Sequence, residues 1–125
     1  MINNESEKSI LNVCNLKYLT EMLDGKKHLI KGIMDDFLKQ VPEELKSIND
    51  AITKTDYTII KSFAHTMRST LSIMGISILT PVLKEMEDLG ATGSGIEKIK
   101  ELNQTLDLVC KQAMEEIEKE KHNYI

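Results

Sequence analysis

The sequence predicts an all-α protein, an up-down-up-down antiparallel four-helix bundle with a short additional helix at its N-terminal end. Glycine and proline, which interrupt helices, are scarce at 6 and 2 of 125 residues. Apolar residues recur at steps of three and four along most of the chain. No hairpin dipeptide lies between alternating apolar and polar residues, as a β-sheet would need. A chain of this length forms one domain around one core.

The pattern divides the chain into three parts. Residues 1–14 are predicted to be a polar N-terminal arm or linker, because their polar start shows no helical period. Residues 15–121 carry the periodic segments and are predicted to form the bundle. Residues 122–125 are predicted to be a C-terminal tail.

Charge, cysteine content and hydropathy exclude several classes of function. With 16 Lys+Arg against 20 Asp+Glu the net charge is −4, which argues against nucleic-acid binding. Cys14 and Cys110 are far apart in sequence, so no metal site, disulfide framework or catalytic thiol is expected. No apolar run approaches the ~20 residues of a membrane span, and the N-terminus lacks the order of a signal peptide. We therefore expect a cytoplasmic protein without a membrane segment.

Two helices are predicted in the first half of the bundle. A short helix begins near residue 15 and ends at an Asp-Gly turn signal at positions 24 and 25. A long helix follows to about residue 52. Because Pro42 lacks a backbone N–H and its ring clashes with the preceding turn, we predict a kink or a local break near residues 39–42.

Two further helices are predicted in the C-terminal third. The fourth covers residues 77–89 with Pro81 in its first turn, and the glycines at positions 90, 93 and 95 then predict a turn. Ser94 and Glu97 match a capping box that opens the last helix, whose near-heptad pattern runs to about Lys119. The acidic runs at 85–88 and 115–120 are interpreted as solvent-exposed faces.

The third helix divides into two faces. We predict that it follows the N-cap residue Asp56 and covers residues 57–74, with Gly75 ending or interrupting it. At about 100° per residue, one stripe about 80° wide is apolar and faces the core. Its members are Ile60, Ala64, Met67, Leu71 and Met74. A polar stripe lies nearly opposite and contains Lys61, His65, Arg68, Ser69 and Ser72.

His65 lies near the centre of the polar stripe and is the candidate nucleophile. A neutral imidazole is a good nucleophile at physiological pH. Lys61 and Arg68 are its neighbours on the helix surface, where fixed cations favour the neutral ring and attract a phosphoryl group. His28 and His122 lack such neighbours and are interpreted as exposed bystanders.

The segment AHTMRSTLSIMG resembles the motif of histidine-containing phosphotransfer (HPt) domains of two-component phosphorelays. In that motif, Ala-His-x-hydrophobic-Lys-Gly precedes a glycine ten residues after the histidine. The matching positions are Ala64, His65, Met67, Arg68 and Gly75. The resemblance extends from about residue 16 to 117, since FLKQVPEELKSINDAITKTDYTIIKSF and ILTPVLKEMEDLG are similar to the family's flanking helices. A free-standing protein and the HPt domain of a hybrid sensor kinase both fit this pattern.

The resemblance implies a role for each residue of the polar stripe. His65 would accept and donate the phosphoryl group through Nε2. Arg68 stands in place of the usual lysine and keeps its charge, while Ser69 replaces the usual glycine and adds a hydroxyl donor. Lys61 and Ser72 complete the set expected to stabilise the phosphoryl oxygens. No cofactor is implied for this chain.

The resemblance also implies the partners. A response-regulator receiver domain would supply the phosphorylated aspartate and magnesium, and a histidine kinase in the same or another chain is a further partner. The domain would be a monomeric phosphocarrier rather than an enzyme. We expect Ile76, Met34, Phe37 and Leu38 to contribute an apolar docking surface.

Two other functions are weighed against the phosphocarrier. One is a degenerate bundle that docks on a receiver or kinase without carrying phosphate, for which the departures at Arg68 and Ser69 are the support. The other is a kinase dimerisation domain. The sequence contains no glycine-rich ATP-binding boxes, which argues against the kinase.

Overall fold

The computed structural model describes residues 10–124. Its helices are α1 (Lys17–Met22), α2 (Lys27–Thr53), α3 (Tyr57–Ile73), α4 (Thr80–Thr92) and α5 (Ile96–Glu120). Two 3-10 turns, Ser77–Leu79 and Lys121–Tyr124, precede α4 and follow α5. The predicted all-α class is confirmed. Among these helices, none is both long and apolar enough to cross a lipid bilayer.

Helices α2 to α5 form the four-helix bundle. Each packs against the next along the chain, and α5 returns to contact α2. The predicted apolar stripe of α3 is buried, from Ile60 to Met74. Burying one such side chain contributes about 1.5–3 kcal/mol, so the core holds the inner face of α3 firmly and leaves its outer face to solvent.

Of the kink or local break predicted near residues 39–42, the break is wrong, because helix α2 continues through Pro42. Buried residues flank the proline on both sides, with Phe37 and Val41 before it and Ile48 after it. Proline costs the helix one hydrogen bond, but the apolar face is buried on both sides of Pro42, and this packing keeps the helix continuous. Tertiary contacts therefore outweigh the local penalty.

Asp56 caps α3 as predicted. Its side chain accepts a hydrogen bond from the backbone N–H of Ile59 at 3.2 Å. Asp56→Ala is expected to lower the free energy of unfolding by about 1 kcal/mol, measured by urea denaturation. The control is Asp36→Ala, which removes an exposed carboxylate of α2 and is expected to change stability little. Equal stability of the two variants would contradict a role for the cap.

The turn between α4 and α5 differs from the prediction. Helix α4 continues past residue 89 to Thr92, so Gly90 is a helical residue and not part of the turn. The predicted capping box is absent, because α5 begins after Gly95, whose φ is 81°, and has no side-chain cap. Ser94 lies one residue too early, with its Oγ 3.0 Å from Oγ1 of Thr92.

The segment just before α1 packs on the bundle. Cys14 and Leu16 are buried, and the N–H groups of Val13 and Cys14 contact the carboxylate of Glu116 on α5. Of the predicted arm 1–14, therefore, residues 13 and 14 are tied to the fold, while residues 1–9 lie outside the described range.

At the C-terminal end of the chain, the predicted tail is part of a turn. Residues Lys121–Tyr124 form a 3-10 turn that contacts α2. The Nζ atom of Lys121 lies 3.2 Å from Glu118 and 3.8 Å from Asp35. Residue 125 lies outside the range that the structure describes.

Both cysteines are buried free thiols. Burial, together with the smaller effects of the Asp107 and Glu44 carboxylates, raises the pKa of Cys110 to about 12. Burial, followed by the nearby carboxylate of Glu116, raises the pKa of Cys14 far above its usual range. Since the thiolate is the nucleophilic form, neither cysteine is suited to catalysis, in agreement with the prediction.

Candidate functional site

His65 lies in the middle of α3 on the face opposite the core. Its side chain is 67% exposed, while its neighbour Ala64 is fully buried. Lys61, Ser69 and Ser72 are exposed and Arg68 is half-buried. The sequence therefore placed these side chains on the correct surface, and His28 and His122 are exposed as expected.

Glu87 of α4 joins His65 to Arg68. Its Oε2 lies 2.8 Å from Nδ1 of His65, and its Oε1 accepts a hydrogen bond from Nη1 of Arg68 at 2.8 Å. A carboxylate accepts hydrogen bonds, so Nδ1 is the donor in this contact, and in the neutral ring the lone pair is on Nε2. The nitrogen that carries the lone pair is then the one that Glu87 does not contact.

The close approach of α3 and α4 explains why Glu87 reaches His65. A Cβ atom on Gly90 would lie only 2.9 Å from the backbone N and Cβ of Lys61. The missing side chain lets the helices meet there. In an antiparallel pair, Glu87 lies one turn before Gly90, and His65 lies one turn after Lys61, so the two side chains come level.

Sequence reasoning missed Glu87. The acidic run 85–88 was interpreted as a solvent-exposed face, which is correct for Glu85 and Asp88 but wrong for Glu87, whose side chain is 17% exposed. The one sequence signal for its contact with α3 is that it lies three residues before Gly90, on the same side of α4. Sequence periodicity gives the face of α4 but not the distance between helices.

The charges around His65 favour an anionic ligand. Near the ring there are one anion, Glu87, which pairs with Arg68, and a second cation, Lys61, one turn before His65 on α3. Within residues 10–124, Lys61 pairs with no carboxylate. Arg68 uses Nη1 for Glu87 and keeps its other N–H donors for a second acceptor.

Gly75 ends α3 as predicted. Its φ is 66°, in the left-handed region, and a Cβ there would lie 2.1 Å from the backbone oxygen of Asn15. The glycine thus ends the helix and also leaves room for the backbone of Asn15. The N–H of Asn15 donates to the oxygen of Met74 at 2.9 Å, so the chain before α1 crosses the end of α3.

The predicted docking surface is wrong for three of its four residues. Ile76, Met34 and Phe37 are at most 3% exposed, and Leu38 is half-buried. Ile76 is buried because Gly75 ends α3 and the chain then turns into the core. Met34 and Phe37 lie one turn apart on the buried stripe of α2.

Two open grooves flank the polar stripe. One, of about 450 Å³, is lined by Thr58, Lys61, Ser62, His65, Thr66 and Glu87. The other, of about 540 Å³, is lined by Tyr18, Arg68, Ser69, Ser72 and Ile73, and we call it the Tyr18 groove. Tyr18 is 59% exposed and Met22 47%, so α1 contributes the exposed apolar surface that the sequence had assigned elsewhere.

A four-helix bundle with a surface histidine between two cations defines a class, the helical histidine phosphotransfer modules. The model of the Hpt domain family matches residues 32–120, which is well over half of the chain. The chain therefore belongs to the Hpt domain family, and this assigns it a phosphotransfer role in a phosphorelay.

Comparison with solved structures agrees in fold. The crystal structure of histidine-containing phosphotransfer protein B (HptB) from Pseudomonas aeruginosa PAO1 superposes with a TM-score of 0.83 at 18% sequence identity. The match covers 93% of this chain and 100% of that one. No curated protein sequence matches the chain.

The contact between Glu87 and His65 predicts an effect on transfer rate. Glu87→Ala is expected to slow phosphoryl transfer to His65 by roughly tenfold to a hundredfold, because the ring loses the partner that fixes its orientation and tautomer. Glu87→Gln retains an acceptor oxygen and is expected to fall between this variant and wild type. The initial rate of transfer from a phosphorylated receiver measures the effect.

The matched control for this prediction is Glu85→Ala, which removes an exposed carboxylate from the same helix. It is expected to transfer at the wild-type rate. A Glu87→Ala protein that is folded and transfers as fast as the control would show that the contact does not position the ring.

Proposed function

We propose that His65 accepts a phosphoryl group from the aspartyl phosphate of a receiver domain and donates it to the aspartate of another. The observation that carries this proposal is the pair of contacts at Glu87. They hold Nδ1 of the His65 ring against the carboxylate, leave Nε2 available for reaction, and keep Arg68 beside the ring. An exposed, oriented imidazole is what in-line phosphoryl transfer requires.

The step is a displacement at phosphorus. The lone pair of Nε2 forms the P–N bond while the P–O bond to the aspartate breaks, and the carboxylate leaves with that electron pair. Nδ1 keeps its proton, so the ring becomes cationic, and the carboxylate of Glu87 at 2.8 Å stabilises that charge. Transfer to the next aspartate reverses these bond changes.

Arg68 and Lys61 stabilise the phosphoryl oxygens. Arg68 reaches them with the donors that Glu87 leaves free, and Lys61 adds a second positive charge one turn before His65. The exposed hydroxyls of Ser69 and Ser72 lie on the following turns and are available as donors.

The partner completes the chemistry. A receiver domain supplies the aspartate and the magnesium ion, so this chain is a phosphocarrier that turns over nothing alone, acting as a monomer in the cytoplasm. A histidine kinase in the same or another chain is the source of phosphate upstream. Receiver docking needs exposed apolar surface near the polar stripe, which Tyr18 provides in the Tyr18 groove.

The test is transfer of labelled phosphate, with magnesium, from a panel of phosphorylated receiver domains to the wild-type protein. The product should be labile in acid and stable in alkali, as phosphohistidine is, and peptide mapping should place the label on His65. Receiver binding without label would overturn the proposal and support the phosphate-free docking module.

A further inference from the structure

Glu116 anchors the chain that precedes α1. The backbone N–H of Val13 donates to Oε2 of Glu116 at 2.9 Å and to Oε1 at 3.1 Å, and the N–H of Cys14 donates to Oε1 at 3.0 Å. Gln112, one turn earlier on α5, donates to Oε2 at 3.0 Å. Hydrogen bonds to an ionised carboxylate are stronger than neutral ones, so α5 holds this segment tightly.

The anchored segment then sets the position of α1. Asn15 crosses the end of α3 at Gly75, and its Oδ1 accepts a hydrogen bond from the N–H of Lys17 at the start of α1. Helix α1 has six residues and no side-chain cap at Leu16, and a helix that short is not stable alone. Its place on the bundle therefore depends on the segment that precedes it and on the burial of Leu16 and Leu19.

Helix α1 presents Tyr18 to the site. Tyr18 shares its groove with Arg68 and Ser69, which lie three and four residues beyond His65. None of the residues that line this groove is acidic, and Arg68 offers it the N–H donors that Glu87 leaves free, which suits a partner that carries a phosphorylated aspartate. Tyrosine and arginine, the two large side chains of this groove, are enriched among the residues that dominate binding energy at protein interfaces.

We propose that Glu116 is a positioning residue for partner recognition, acting through Tyr18. By fixing the backbone of Val13 and Cys14, it holds α1 where Tyr18 contacts a receiver domain seated in the Tyr18 groove. This inference rests on the proposed function. It assigns a role in recognition to a carboxylate of α5, a helix that contributes no residue to the groove.

The experiment measures transfer from the most active receiver of the panel as a function of receiver concentration. Glu116→Ala and Tyr18→Ala are each expected to raise the half-saturating concentration about tenfold. The double variant should resemble Tyr18→Ala alone, because residues that act through one contact are not additive. Glu116→Gln, which keeps an acceptor oxygen, should restore part of the loss.

Two controls separate recognition from folding. Glu101→Ala removes an exposed carboxylate of α5 that pairs with Lys98 at the surface, and it should behave as wild type. Labelling of His65 by phosphoramidate, which needs no receiver, should be unchanged in the Glu116 variants. Hydrogen exchange at residues 13–18 reports whether the anchor has been released.

Each outcome decides the matter. An unchanged half-saturating concentration in Glu116→Ala, or additive effects in the double variant, would overturn the inference while leaving the proposed function intact. If Glu116→Ala does not fold, Glu116→Gln and Tyr18→Ala make the same comparison. Wild-type protein that receives no label from any receiver would overturn the proposed function and this inference with it.

Discussion

The His65→Gln protein is expected to receive no acid-labile phosphate from any receiver domain and to unfold at the same urea concentration as wild type. The amide of glutamine has no nucleophilic nitrogen lone pair, so no P–N bond can form. The fold should survive because the side chain of His65 is 67% exposed and the core residues beside it, Ala64 and Met67, are untouched. The loss of labelling should therefore be complete, and it should come from the missing nucleophile and not from unfolding.

His28→Gln and His122→Gln are the matched controls for this prediction. Both histidines are exposed and neither is part of the polar stripe, so both variants should be labelled like wild type. Acid-labile label on a folded His65→Gln protein would place the phosphoacceptor elsewhere, and these two positions would be the first to map.

Gly75→Ala is expected to lower the free energy of unfolding by about 2–4 kcal/mol, the sum of a left-handed backbone penalty and a steric overlap. The new Cβ would lie 2.1 Å from the oxygen of Asn15, and that oxygen belongs to backbone that cannot rotate away. Urea denaturation of wild type and variant measures the difference.

Gly93→Ala provides the control that separates the two contributions. Gly93 has a similar φ of 69°, but nothing lies within 4 Å of its Cβ position. It should lose only the backbone part, about 1–2 kcal/mol. If Gly75→Ala were no less stable than Gly93→Ala, the backbone of Asn15 would accommodate the added methyl group without a steric cost.

Local patterns predicted the helices and the outer face of α3 well. The alternation of buried and exposed positions from Ile60 to Met74 follows from the helical period alone, and the cap at Asp56 and the helix end at Gly75 depend on residues next to each other in the chain. These features can be read from sequence because their causes are local.

Contacts between segments distant in the chain could not be predicted from these local patterns. Glu87 reaches His65 because Gly90 lets two helices approach, and Glu116 reaches Val13 across the bundle. Neither distance is encoded in a period or a motif. The same reason explains the burial of Ile76, since the direction in which the chain leaves α3 is set by the φ of Gly75 rather than by helical spacing.

The tightly packed core beneath His65 has a consequence for how a phosphorylation signal is stored. Ala64 and Met67, which lie next to the histidine on the inner side of α3, are completely buried. A phosphoryl group on the ring therefore has no loosely packed segment beneath it that it could displace. On the proposed function, the signal is therefore carried by the covalent P–N bond and not by a conformational change of the bundle. Its lifetime is then set by the P–N bond alone, which ends by hydrolysis or by transfer to the next aspartate.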